Sequence, residues 1–147
     1  MAPPLRETVL FEATAYLIAA LSALPELEGV AISDGPPSLG QLTGDGIIFA
    51  DAESDQDWAA VGARNREETL SLYLVFYSVA VGKSQTVANE RAGELFATVG
   101  RYCRADIKLG GLLWKSGYGS NTQVHKGIGD NARLCFIRTR LNLSARI

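Results

Sequence analysis

Thiols and imidazoles are scarce in this chain, and their scarcity removes most routes to covalent chemistry. Among 147 residues there are two cysteines, Cys103 and Cys135, and a single histidine, His125. Two cysteines without CxxC spacing are too few for a disulfide framework and are expected as buried, reduced side chains. His125 sits beside Lys126 in a glycine-rich stretch, no GxSxG elbow occurs, and Cys103 falls on an expected helix face, so no nucleophile–base pair is expected. Positive charge is not in excess either: 14 Lys and Arg against 16 Asp and Glu give a formal net charge of −2 and a pI near 5.4. A surface built to hold nucleic acid normally shows the opposite balance.

Long apolar runs are also missing. None approaches the roughly 20 residues that a bilayer-spanning helix needs. The N-terminus carries Pro3, Pro4, Glu7 and Glu12 where a signal peptide needs basic residues and a clean apolar run. The chain is therefore expected to be soluble, made in the cytoplasm and without membrane contact. The glycosylation pattern Asn142-Leu143-Ser144 carries no weight under that expectation.

What is present is a hydrophobic fraction of 47%, enough for one domain over residues 1–147 with a core of its own. A chain of this length buries roughly 68–70% of its unfolded surface. The most informative stretch runs from Arg66 to Val81 and reads as an extended strand with two apolar faces. Leu70, Leu72, Leu74 and Phe76 point one way; Tyr73, Val75, Tyr77 and Val79 point the other. A strand with one wet face shows apolar–polar alternation instead. One face can meet a helix, and the other needs a second cover, which a neighbouring copy can supply.

A first helix is expected from about Thr8 to Leu24, where Val9, Ala13, Tyr16, Leu17, Ala20, Leu21 and Leu24 follow helical spacing. Thr8 suits its start, and Pro25 stops it. Short and long strands follow at Val30–Ser33 and about Gly46–Asp57. A second helix is expected from about Thr86 to Arg104, with Ala88, Ala92, Leu95, Val99 and Cys103 on its apolar face. Strands near Leu112–Tyr118 and Ala132–Arg146 close the chain. Between them, six glycines among residues 110–131 predict a flexible loop. The order α-β-β-β-α-β-β predicts an α+β domain, its antiparallel or mixed sheet packed on one face by two helices.

Two charged patterns stand out. Asp51, Glu53, Asp55 and Asp57 alternate on an expected strand and would form a column of carboxylates. The calcium-loop template fails, since Gln56 replaces the turn glycine and Gly62 the final acid. A solvated strand edge, a cation site and a repulsive pore lining are the readings it leaves. On the last strand Arg138, Arg140, Asn142, Ser144 and Arg146 share one face, opposite Cys135, Ile137, Thr139, Leu141 and Leu143. Those arginines suit phosphate or the carboxylates of a neighbour, or a solvated face. Gly117-Tyr118-Gly119 and Gly127-Ile128-Gly129 supply only the first part of a dinucleotide fingerprint, and no cofactor is expected.

The acidic strand ending at Asp57-Trp58, then Ala59-Ala60-Val61-Gly62 and Arg64-Asn65-Arg66-Glu67-Glu68 leading into the aliphatic strand, is similar to the tail terminator (tail completion) proteins of long-tailed bacteriophages. The likeness extends to a first helix ending near Leu24-Pro25, a strand at Gly29-Val30, the helix segment Ala88-Asn89-Glu90-Arg91-Ala92, and the closing Leu143-Ser144-Ala145-Arg146-Ile147. It does not include residues 110–131. The resemblance implies a structural virion protein, not an enzyme, that forms a homo-oligomeric ring, a hexamer in that family. The ring would cap the head-proximal end of the tail tube, stop tube growth and offer a joining surface to the head connector or stopper. DNA would pass through the channel without specific binding. Tyr73, Val75, Tyr77, Arg138 and Arg140 are then the subunit-interface candidates, with Asp51, Glu53, Asp55 and Asp57 facing the lumen or a partner. Rival readings are a stopper or adaptor at the same junction, and a small-molecule binding module whose cavity the second apolar face lines.

Overall fold

The computed structural model describes residues 8–36, 44–58, 66–113, 115–119, 121–129 and 131–146. Helix α1 spans Leu10–Ser22, strands β1, β2 and β3 span Ala31–Asp34, Gly44–Trp58 and Arg66–Val81, and helix α2 spans Gln85–Ala105. Strands β4, β5 and β6 follow at Lys115–Tyr118, Gln123–Gly129 and Ala132–Arg146. The strands form one mixed sheet in the order β1-β2-β3-β6-β4, with β5 also paired to β6. Only β1 and β2 run parallel; every other pair is antiparallel. The α+β architecture expected from the sequence is present.

Both helices lie on one face of the sheet. Ala13, Leu17 and Leu21 of α1 and Ala88, Ala92, Leu95, Val99 and Cys103 of α2 form one buried cluster with Leu70, Leu72, Leu74 and Phe76 of β3. Cys135, Ile137, Leu141 and Leu143 of β6 complete it. The Ser84 hydroxyl caps α2 by accepting the Val87 N–H at 3.4 Å. At the far end of the core the Tyr118 ring stacks on Phe96 with centroids 4.5 Å apart, and its hydroxyl donates to the Phe96 carbonyl at 2.8 Å. Phe76 meets both rings edge-on, which fastens β4 to α2 and β3.

Strand β2 changes face partway along. Phe49 pairs with Leu74, but the next aligned pair is Ala52 with Leu72, so Ala50 and Asp51 form a bulge. Before it, Ile47 and Phe49 enter the core; after it, Ser54 and Gln56 turn to the helix side and donate to Glu68. Glu68 is 0% exposed and also takes the Thr8 hydroxyl and the Val9 N–H, the latter at 2.8 Å. A β3 carboxylate thus supplies the acceptor that the start of α1 needs.

One expectation needs correction. The span 110–131 is not a single loop: besides β4, which falls within the strand expected near Leu112–Tyr118, it contains β5 and begins in a 3-10 turn at Leu109–Gly111. Glycine weakens a strand, but pairing with β6 supplies the missing backbone partners along Lys115–Tyr118 and Gln123–Gly129. The β5–β6 connection is the two residues between paired Gly129 and Ala132, and Asn131 there has φ of 51°. The short connection suits a tight hairpin turn.

Candidate interaction surface on the open sheet face

The face of the sheet turned away from both helices is where the sequence candidates converge. On β3 it carries Thr69, Ser71, Tyr73, Val75, Tyr77 and Val79; across the register it meets Leu134, Phe136, Arg138, Arg140 and Asn142 of β6. Val75, Val79, Leu134, Phe136 and Ile48 are half-buried. Tyr77 is the exception at 3% exposed. Its ring leans on Phe136, with centroids 6.4 Å apart, and lies across Gly46, where a Cβ would come within 2.2 Å of the ring. Burial, and then Asp45, push the Tyr77 hydroxyl above its ordinary pKa.

Toward the other end the face turns cationic. The guanidinium carbons of Arg138 and Arg140 lie 5.4 and 5.2 Å from the centroid of the Tyr73 ring. Such distances suit cation–π attraction. Arg140 Nη2 also donates to the Tyr73 hydroxyl at 2.8 Å. Its Nε is buried and has no hydrogen-bond partner among the described residues. Tyr73, Arg138 and Arg140, with Asn121, Gln123 and Thr139, line a cleft of about 230 Å³, with no acidic side chain among the described residues that line it. A pair of guanidiniums held against one ring favours an anionic group.

The acidic residues lie on a different strand. Glu53 pairs in register with Ser71 and Asp55 with Thr69, so both share the open face but sit on β2. Asp51 falls in the bulge, and the Asp57 side chain lies outside the described residues, as does that of Arg146. Strand β3 separates the acids from the β6 arginines by two strand spacings, about 9–10 Å. The Arg140 guanidinium is directed at Tyr73 instead of at an acid of its own chain. Among the described strands β1 pairs only with Gly46–Phe49, so β2 beyond the bulge forms their outer edge, and Asp51, Glu53 and Asp55 are exposed there. Edge charges of this kind discourage indiscriminate strand pairing.

Burial first, and Asp106 second, push the Cys103 thiol up to about 11, and Cys135 is raised by burial as well. His125 is exposed on β5. Asp106 accepts the hydroxyls of Tyr16 at 2.7 Å and Tyr102 at 2.9 Å and the Gly110 N–H at 3.1 Å. The Tyr16 hydrogen bond is the main cause holding that carboxyl below its ordinary value. This cluster joins α1, the end of α2 and the 3-10 turn. Among the described residues no three His, Cys, Asp or Glu side chains are grouped to hold a metal ion, and no helix is long and apolar enough to cross a membrane.

Sequence reasoning missed Glu68, Gly46 and the β5 strand. Glu68 reads as one of two acids before an aliphatic strand, with nothing local to mark it as buried. For β5 a signal existed: Val124 and Ile128 bracket Lys126 at alternate spacing, and Asp130-Asn131 is a turn dipeptide. No protein-family model matches this chain, and no curated protein matches its sequence.

Proposed function

We propose that this chain is a structural assembly subunit, with no bond chemistry of its own, that forms a ring on the head-proximal end of a phage-type tail tube. The reading rests above all on the open sheet face, where Tyr73, Val75 and Val79 have no covering helix among the described residues and the two helices are already committed to the opposite face. A protein that leaves such a row uncovered gains by burying it on another chain. The order of motifs that resembles tail terminator proteins, with the Ala88–Ala92 helix segment and the closing Leu143–Ile147 strand, supplies the particular assembly.

In this mechanism the ring, a hexamer by family likeness, binds the last ring of tube protein through one surface. It lacks the surface that would recruit a further tube subunit, and its other side receives the head connector or stopper. The exposed acids Glu53 and Asp55 keep DNA from adhering as it passes the virion's tail channel. The direct test is to polymerise the tube protein with increasing amounts of this protein. Tube length should fall to a fixed limit as the protein approaches one ring per tube end; unrestrained length at saturating protein rejects the role.

A further inference from the structure

Strand β5 is unusual for the margin of a sheet. Among the described strands it pairs only with β6, and every residue from Gln123 to Gly129 is exposed except half-buried Gly127. Val124 is 54% and Ile128 75% exposed, and their register with Ile137 and Arg133 puts both on the helix-side face, with Lys126 between them. Neither helix covers them. A ribbon wet on both faces is marginal in water, and its open edge invites another strand.

The opposite margin of the same sheet offers a complement. Beyond Phe49 the outer edge of β2 is unpaired among the described strands, from Asp51 to Trp58, and it runs beside α1. A groove of about 420 Å³ opens there, lined by Leu10, Phe11, Ala15 and Phe49 together with Asp34 and Asp51. Phe11 is 76% exposed. Apolar floor and acidic flank match the apolar–basic–apolar order of Val124, Lys126 and Ile128. The margins also differ in charge: Asp51, Glu53 and Asp55 on one, Lys126 on the other.

We propose that β5 of one copy adds as a strand to the β2 edge of a second copy, with Val124 and Ile128 seated against Phe11 and Lys126 against Asp34 and Asp51. The open β2 edge is long enough for the Gln123–Gly129 strand. With its helix-side face kept in register, the added strand presents those three side chains to α1 of the neighbour. The two margins lie at opposite ends of the sheet order, so one chain cannot satisfy its own. The contact is therefore head-to-tail, the kind that closes into a ring when the rotation fits. It deepens the ring reading by assigning the subunit boundary, and its groove reaches Tyr73 at the margin of the open face.

The test uses two full-length variants altered only at exposed positions, each checked for a wild-type circular dichroism spectrum. An arm variant carries Val124→Glu and Ile128→Glu; an edge variant carries Phe11→Glu and Asp51→Lys. In sedimentation velocity the wild type should form species larger than a dimer as concentration rises, while each variant alone stays monomeric. Mixed in equal amounts, the variants should form a two-copy species and nothing larger, because one intact arm then meets one intact edge. A wild type that stays monomeric to about 1 mM, the range of very weak contacts, overturns the proposal. So do variants that assemble like the wild type, or a mixture that remains monomeric. Wild-type assembly with unrestrained tube length would reject the capping role alone, whereas full capping by the arm variant would reject this contact alone.

Discussion

Glu68 on β3 accepts the backbone N–H of Val9 at 2.8 Å, so a carboxylate buried in the sheet caps the first helix across 59 residues of sequence. The same carboxylate takes hydrogen bonds from Thr8, Ser54 and Gln56. Burial alone would push its pKa up; the bonds from Ser54, Thr8, Val9 and Gln56 together hold it below the ordinary value of 4.5.

Glu68→Gln should therefore destabilise the protein at neutral pH by about 1–3 kcal/mol, the range for leaving buried partners incompletely satisfied. The sign of the pH effect follows from the lowered value. The stabilisation is complete above about pH 4.5, the unfolded value, and is lost as pH falls through the lower folded value. Urea titrations at pH 7 and pH 3 should show a gap between wild type and variant that narrows in acid; a gap that widens would contradict the assignment.

Gly46 is required by Tyr77. A methyl group at residue 46 would stand 2.2 Å from the ring atoms of Tyr77, which must then leave its position against Phe136. Gly46→Ala should cost about 1–3 kcal/mol, as overpacking does. Adding Tyr77→Ala should recover part of that loss, because the two sites share one space. A denaturation cycle with both single variants and the double variant measures the coupling, and strict additivity would show that the ring does not occupy that space.

Tyr73→Phe retains the ring beneath Arg138 and Arg140 but removes the oxygen that Arg140 Nη2 reaches. Stability should fall by about 0.5–1.5 kcal/mol, the net worth of an ordinary hydrogen bond. Assembly should weaken less than with Arg140→Met, which removes the cation as well. Denaturation and sedimentation on both variants separate the two effects.

Val75→Glu places a charge in the middle of the open face without entering the helix-side core, since Val75 is half-buried and opposite Arg138. The variant should fold, with a melting temperature within a few degrees of the wild type, yet lose most of the tube-capping activity proposed above. Length distributions of tubes grown with each protein provide the measurement.

The Cys103 thiol is 3% exposed and raised to about 11. At pH 8 only about one thiol in a thousand would be ionised, and reaction with an aromatic disulfide reagent should wait for unfolding. Cys103 and Cys135 should thus become reactive together across the denaturation transition; rapid labelling of the native protein would show a more open core.

The helices and the long strand were legible because periodicity records which face is buried. Ala88, Ala92, Leu95, Val99 and Cys103 fall at helical spacing and all enter the core, and Arg66–Val81 is one strand as its alternation predicts. The β2 bulge was not legible, because regular alternation runs through Asp51, Glu53 and Asp55 whether or not the backbone inserts an extra residue. Nor was β5, whose glycines spoke for a loop until a long partner strand was beside them.

Composition and pattern alone determined an α+β chain with two helices, scarce thiols and imidazoles, and a central strand apolar on both faces. They did so because burial preference and secondary-structure period are local properties of the chain. Only the tertiary structure decided that Glu68 closes the start of α1, that two arginines converge on Tyr73, and that the sheet ends in margins of opposite charge. Those relationships depend on strand order and register, which bring distant residues together and leave no mark in the spacing of either partner.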